Sequence, residues 1–163
     1  MRAGHQDLLK GSPWKTPPWE YAEQCVMRKI VREGEVVFDI GANIGLHTVL
    51  LSKLIGPGGK LCAFEPNSEL LPQLELTVEK LKNATLHPFA LSNISGTAAL
   101  FVPEDAAEMG SLANWTSGRE DIGETHTINC EVRRIDDLIE SGTIPQPSFI
   151  KCDVEGAELM VFQ

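Results

Sequence analysis

Basic residues are scarce in this chain relative to acidic ones. It carries 14 Lys and Arg against 23 Asp and Glu, which gives a formal net charge of −9 at pH 7. A surface of this sign repels the phosphates of nucleic acids and of anionic lipid headgroups. The charge therefore argues against a nucleic acid or a membrane surface as the main partner.

Cysteine is also infrequent and widely spaced. The four cysteines, Cys25, Cys62, Cys130 and Cys152, form no Cys-x-x-Cys pair and no Cys/His group at zinc-ligand spacing. Disulfides and structural zinc are thus not expected. Cys62 and Cys152 lie within apolar runs, where a thiol behaves as a small buried hydrophobic residue.

The sequence lacks a long apolar segment. The first residues lead into no apolar stretch of the kind that a secretory signal requires, and no window reaches the roughly 18 apolar residues of a membrane span. We therefore expect a cytoplasmic protein with no membrane partner.

Apolar residues are nevertheless sufficient for a packed core. Of the 163 residues, 42% are hydrophobic, and this length favours one domain. Residues 1–34 are predicted to form a proline-rich lead-in followed by a helix that begins near Trp19. The main domain is expected to occupy residues 35–163.

Within 35–163, strand patterns alternate with helix patterns. The first predicted elements are a strand at 36–40, a glycine loop at 41–45, a helix at 46–55, a strand at 60–65 and a helix at 70–81. Two successive β-α units imply parallel strands, so we predict an α/β fold with a doubly wound, mostly parallel sheet. The later predicted elements are two strands that form a hairpin at 85–89 and 97–102, a polar loop at 103–125, a strand at 126–132, a short helix at 136–141, a last strand at 148–153 and the start of a helix at 156–163.

Acidic residues lie at the carboxyl ends of three predicted strands. They are Asp39, Glu65 and Asp153. Ligands of open α/β sheets bind at this edge, so we expect the three carboxylates to face one crevice. Gly41 and Gly45 allow the intervening loop to turn tightly and to approach a ligand closely.

The glycine loop fits one class of cofactor motif better than another. A dinucleotide-binding G-x-G-x-x-G that began at Gly41 would require glycine at two positions where the chain has Asn43 and Leu46. The acid-x-Gly-x-x-x-Gly spacing of Asp39, Gly41 and Gly45 instead resembles motif I of class I S-adenosylmethionine-dependent methyltransferases. Asn43 replaces the middle glycine, and asparagine tolerates a left-handed backbone better than most residues.

Glu65 follows Gly45 by 20 residues and ends the second predicted strand. An acid at this place can accept hydrogen bonds from both hydroxyls of an adenosine ribose. Because NAD enzymes use the same contact, Glu65 supports an adenosine-type cofactor but does not distinguish NAD from S-adenosylmethionine. An NAD(P)-dependent oxidoreductase and a non-catalytic cofactor-binding fragment therefore stay as alternatives.

Four sequence blocks together resemble the FkbM family of methyltransferases. They are, in chain order, 37–48 (VFDIGANIGLHT), 63–67 (AFEPN), 89–93 (FALSN, with Gly96) and 150–158 (IKCDVEGAE). The last block is the most family-specific, since motif I is shared by all class I enzymes. The resemblance implies a Rossmann-like class I fold and S-adenosylmethionine-dependent O-methylation of a sugar, lipid or polyketide-type small molecule.

The resemblance also implies a set of site residues. Those expected to bind the cofactor are Asp39, Gly41, Asn43, Gly45, Thr48, Glu65, Pro66, Asn67, Ala90 and Leu91. Asp153 and Glu155 are the candidate catalytic acids, because an aliphatic hydroxyl needs a base or a metal near it. They could divide base and positioning roles or hold a divalent cation, and the sequence leaves both open. Lys151 is expected to extend its side chain outwards to solvent, with contact to an anionic substrate in the crevice as the alternative.

Members of this family continue past the last predicted helix with further strands, which complete the sheet and one wall of the acceptor pocket. We therefore expect that the 35–163 domain lacks C-terminal strands, either as a fragment of a longer enzyme or as a natural truncation. An uncovered sheet edge would then be open to association with a second chain.

Overall fold

The structure, a computed structural model, describes residues 18–114, 117–118 and 123–163. The predicted proline-rich lead-in at 1–17 therefore lies outside the described residues. Within the described ranges, no helix has both the length and the apolar character that crossing a bilayer requires.

The central sheet is parallel, as the sequence predicts. Within the described residues it consists of β1 (Val36–Ile40), β2 (Lys60–Phe64), β3 (Ala84–His87) and β7 (Phe149–Cys152). Their order is β3-β2-β1-β7, and every neighbouring pair is parallel. β1 and β2 are buried almost throughout, which explains why both read as apolar runs.

Helices cover both faces of this sheet. The helices α1 (Pro18–Ile30), α2 (Leu46–Ile55) and α3 (Leu71–Val78) pack on one face, where Met27, Leu51 and Leu74 are buried. The short helices α4 (Ile135–Glu140) and α5 (Glu158–Val161) pack on the other face through Leu138 and Val161. The doubly wound α/β prediction is thus confirmed.

A second sheet corrects the predicted hairpin. In the described part of the chain it contains β4 (Ala90–Leu91), β5 (Gly96–Pro103) and β6 (Thr125–Arg133), in the order β4-β6-β5. The strands at 85–89 and 97–102 do not pair with each other, because β3 pairs with β2 and β5 pairs antiparallel with β6. The reason is packing: Leu100 and Val102 bury their side chains with Cys130 and Val132.

Candidate active site

A cleft of about 1010 Å³ opens at the carboxyl ends of the parallel strands. The predicted site residues that line it are Gly41, Asn43, Glu65, Pro66, Asn67, Ala90, Leu91, Asp153 and Glu155. The other predicted cofactor residues, Asp39, Gly45 and Thr48, are buried beside it. The fold therefore brings the predicted residues together at the cleft, where some line its surface and others are buried beside it.

The loop after β1 turns sharply through left-handed backbone. Gly41, Asn43 and Gly45 have φ angles of +74°, +54° and +94°, so asparagine adopts the conformation that the sequence predicts for it. The N–H groups of Gly41 and Ala42 both donate to the Phe64 carbonyl at 3.0 Å. These bonds fix the loop against the end of β2.

Two buried polar residues support the loop from within. The Thr48 hydroxyl on α2 donates to Oδ2 of Asp39 at 2.6 Å, and both residues are fully buried. A Cβ on Gly45 would approach Cγ2 of Thr77 to 2.8 Å, so α3 packs directly against the loop. Asp39, Thr48 and Gly45 thus set the shape of the loop rather than the surface of the cleft.

Glu65 places a buried carboxylate at the cleft. Its Oε2 accepts the N–H of Asn43 at 2.8 Å, and its Oε1 accepts the N–H of Asn67 at 2.9 Å. Burial raises the pKa of Glu65 above its ordinary value of 4.5, against the opposing effect of these two hydrogen bonds and the Lys151 charge. A carboxylate accepts about four hydrogen bonds, so acceptor capacity is left for a ligand.

Lys151 corrects a prediction, since its side chain turns inwards. The side chain is only 9% exposed, and Nζ donates to the Gly41 carbonyl at 2.8 Å. Nζ also lies 3.4 Å from Oδ1 of Asp39 and 3.7 Å from Oδ2 of Asp153. Burial lowers the pKa of Lys151, but the charges of Asp39 and Asp153 outweigh it and raise the pKa. Asp39 and Lys151 are charged residues of opposite sign in otherwise apolar parallel strands. This pattern could have predicted a buried ion pair, and the sequence analysis did not use it.

The candidate catalytic acids lie at the turn after β7. The Asp153 side chain is 57% exposed, whereas Glu155 is partly buried in a left-handed conformation with φ +53°. Burial and the negative charges of Asp153 and Glu158 raise the pKa of Glu155, and Lys151 opposes them. Because the backbone turns at 155–156, the two acids do not project from one extended strand. Among the described residues, no three His, Cys, Asp or Glu side chains are grouped to hold a metal ion.

The connection between β5 and β6 covers part of the cleft, which the sequence did not predict. The Asn67 amide donates to the Ala107 carbonyl at 2.9 Å, and the Asn43 amide donates to the Glu108 carbonyl at 3.2 Å. The Ser111 hydroxyl donates to the Val154 carbonyl at 2.9 Å. Two asparagines predicted to bind the cofactor thus also hold this segment.

A further wall of the cleft comes from α1. Tyr21, Gln24 and Arg28 recur at intervals of three and four residues and line the cleft from one face of this helix. His47 at the start of α2 also lines it, with Nε2 3.7 Å from Oε2 of Glu23. This wall is polar, in contrast to the apolar Ala90 and Leu91 elsewhere in the lining.

Comparison with known proteins gives matches over most of the chain. The family model described as Methyltransferase FkbM domain matches residues 39–163. Hexuronic acid methyltransferase AglP of Haloferax volcanii is 33% identical over 145 residues, and 31-O-demethyl-FK506 methyltransferase FkbM of Streptomyces tacrolimicus is 26% identical over 167 residues. Each alignment covers 86% of this chain but only 55% and 64%, respectively, of the relative.

Solved structures resemble a smaller part of the chain. A SAM-dependent methyltransferase from Aquifex aeolicus aligns with a TM-score of 0.38 and 24% identity. The alignment covers 53% of this chain and 47% of that protein.

Proposed function

This chain belongs to the FkbM methyltransferase family, and from that premise we propose that its 35–163 domain uses S-adenosylmethionine to methylate a hydroxyl group of a small molecule. The observation that carries the proposal is Glu65, a buried carboxylate that lies at the cleft and is held by two backbone N–H groups. It follows the second parallel strand, where a nucleoside ribose is bound in open α/β sheets.

The residues at the cleft fit an adenosine cofactor. The two oxygens of Glu65 would each accept one ribose hydroxyl, because each is already oriented by one backbone donor. Pro66, Ala90 and Leu91 line the adjacent cleft and would pack against the adenine ring.

The start of α2 would hold the amino-acid end of the cofactor. This helix of 10 residues begins after Gly45, has no acidic residue in its first turn and has no side-chain cap. A helix N-terminus of this kind attracts a carboxylate through its partial positive charge. The left-handed φ angles of Gly41, Asn43 and Gly45 turn the chain sharply between β1 and this helix.

When bound, S-adenosylmethionine supplies an activated methyl group, so the protein must mainly align the acceptor and exclude water. We assign to Asp153 the removal of the proton from the acceptor hydroxyl. Asp153 lines the cleft, and Nζ of Lys151 lies 3.7 Å from its Oδ2. We assign a positioning role to Glu155, which also lines the cleft, at the turn that follows β7.

The acceptor is proposed to be a sugar, lipid or polyketide-type molecule with a free hydroxyl. The polar wall of Tyr21, Gln24 and Arg28 supports a hydroxylated acceptor, since these groups can bond to its oxygens. The names of the two relatives, which refer to hexuronic acid and to 31-O-demethyl-FK506, also favour a small molecule. The net charge of −9 disfavours a nucleic acid.

Calorimetric titration of one sample with S-adenosylhomocysteine and with NAD tests the cofactor. We expect S-adenosylhomocysteine to bind and NAD to give no heat of binding. Binding of NAD alone would replace the proposal with the oxidoreductase alternative.

Transfer of labelled methyl to a panel of acceptors tests the reaction. The panel contains hexuronic acids, neutral sugars, hydroxylated lipids and polyketide macrolides. Product on a hydroxyl oxygen is the expected result. Cofactor binding without transfer to any member of the panel would favour the non-catalytic alternative.

A further inference from the structure

We propose that Lys151 is a positioning residue for the cofactor, which holds the glycine loop in its binding conformation through the carbonyl of Gly41. This inference rests on the proposed function, because it concerns how the same site is kept ready for S-adenosylmethionine.

One ammonium group joins three parts of the site. Asp39 and Lys151 occupy the same register position of the paired strands β1 and β7. From there Nζ extends past Asp39 to the carbonyl of Gly41, at 2.8 Å, and lies 3.7 Å from Oδ2 of Asp153. Lys151 therefore connects β1, the loop and the end of β7.

The ion pair with Asp39 does not by itself account for a lysine at this place. A buried pair of charges loses its hydration, and apolar residues of similar volume are often as stable. The hydrogen bond to Gly41 is different, because an apolar side chain cannot donate it. Without this donor the part-buried Gly41 carbonyl loses a hydrogen bond, so we expect the loop to shift towards another donor.

Movement at Gly41 would reach the cofactor contacts directly. The N–H of Ala42, which shares the 41–42 peptide with the Gly41 carbonyl, is bonded to the Phe64 carbonyl, and the N–H of Asn43, one residue further on, donates to Glu65. A rotation of the 41–42 peptide would disturb both bonds. The orientation of the Glu65 carboxylate, and with it the affinity for a ribose, would then change.

Two double variants with the same net charge test whether Lys151 acts by its hydrogen bond to Gly41 or only by neutralising the charge of Asp39. Asp39→Asn with Lys151→Met removes both charges and the donor, whereas Asp39→Asn with Lys151→Gln removes both charges but keeps an N–H donor. Their melting temperatures and their affinities for S-adenosylhomocysteine are measured by calorimetry. Lys60→Met, at an exposed position that does not line the cleft, is the matched control.

We expect the Met double variant to bind S-adenosylhomocysteine about 10-fold or more weakly than the unsubstituted chain, since one hydrogen bond is lost. The Gln double variant should recover part of that affinity at a similar melting temperature, and Lys60→Met should bind normally. Equal affinity of the two double variants would overturn the inference. The same conclusion would follow if the single variant Lys151→Met, studied below its own melting temperature, bound with unchanged affinity.

The two proposals fail in different ways. If the unsubstituted chain does not bind S-adenosylhomocysteine, the proposed function is wrong and the inference about Lys151 is wrong with it. If the unsubstituted chain binds and the variants bind equally well, the proposed function stands and the positioning role is wrong.

Discussion

The backbone carbonyl of Asp153 occupies the space that a Cβ atom on Gly41 would need. Gly41 has φ +74°, and its own carbonyl accepts the Lys151 hydrogen bond. The 41–45 loop and the end of β7 are therefore in direct backbone contact. A shift of the backbone at Gly41 or at Asp153 should therefore displace the other residue.

Gly41→Ala should destabilise the fold by roughly 2 to 5 kcal/mol, because left-handed strain and a backbone clash add together. Gly34→Ala is the matched control, since Gly34 has φ +84° but no atom within 4 Å of the added methyl group. Gly34→Ala should lower the free energy of unfolding by only about 1 to 2 kcal/mol. Urea denaturation of both variants measures the difference, and equal losses would mean that the contact with Asp153 relaxes without strain.

Glu65→Ala should weaken S-adenosylhomocysteine binding by about 2 to 4 kcal/mol, because two charge-assisted hydrogen bonds to the ribose are lost. Glu75→Ala, on the exposed side of α3 and outside the cleft lining, should leave the affinity unchanged. Calorimetric titration compares them. A folded Glu65 variant with normal affinity would remove this residue from the ribose role.

The pH dependence of binding should follow the raised pKa of Glu65. A ribose hydroxyl bonds to the ionised carboxylate, so protonation of Glu65 competes with the ligand. Burial raises the pKa of Glu65 above 4.5. As the pH is lowered, we therefore expect the affinity for S-adenosylhomocysteine to fall, and this loss should begin at a higher pH than it would with an ordinary glutamate. Titrations between pH 4 and 8 test this, and Glu65→Gln should bind weakly with little pH dependence.

Lowering the pH should increase the contribution of Glu65 to folding stability, although it weakens ligand binding. The pKa of Glu65 is higher in the folded chain than in the unfolded chain, so the folded state holds the proton more tightly. Its contribution to stability therefore increases as the pH falls through the interval between the two pKa values. Denaturation of the unsubstituted chain and Glu65→Gln over this interval separates this contribution from that of the other carboxyl groups.

Local signals were sufficient to predict β1, the glycine loop and α2. Strand, loop and helix begin and end where apolar runs and glycines predict, with observed bounds of Val36–Ile40 and Leu46–Ile55. These boundaries depend on residues within a few positions of each other. The left-handed conformation of Asn43 was likewise predictable, because the loop motif has glycine at that place.

Features that depend on distant residues were not predictable in this way. Alternation of apolar residues in β5 identifies a strand but not its partner, which is β6 rather than β3. Lys151 reads as a solvent-directed strand end until the register places it beside Asp39. The contact of Ser111 with Val154 joins positions 43 residues apart, in a segment without periodicity.

Asp153→Asn should reduce methyl transfer by roughly 100-fold or more while the affinity for S-adenosylhomocysteine changes little. The substitution keeps the shape of the side chain and removes the charge that would accept the hydroxyl proton. Rates are measured with the best acceptor of the panel at saturating cofactor, and affinities by calorimetry. Asp136→Asn, on α4 with a side chain 70% exposed, is the control and should retain normal rates.

The relation between rate and binding in Asp153→Asn decides which acid is the base. Asp153 lines the cleft next to Lys151, so loss of its charge could also disturb the loop through that ammonium group. If cofactor affinity falls in proportion to the rate, Asp153 positions the cofactor and Glu155 becomes the candidate base. Glu155→Gln should then reduce the rate by a similar factor without weakening S-adenosylhomocysteine binding, because the hydrogen bond that Lys151 donates to the loop goes to the Gly41 carbonyl and does not depend on Glu155.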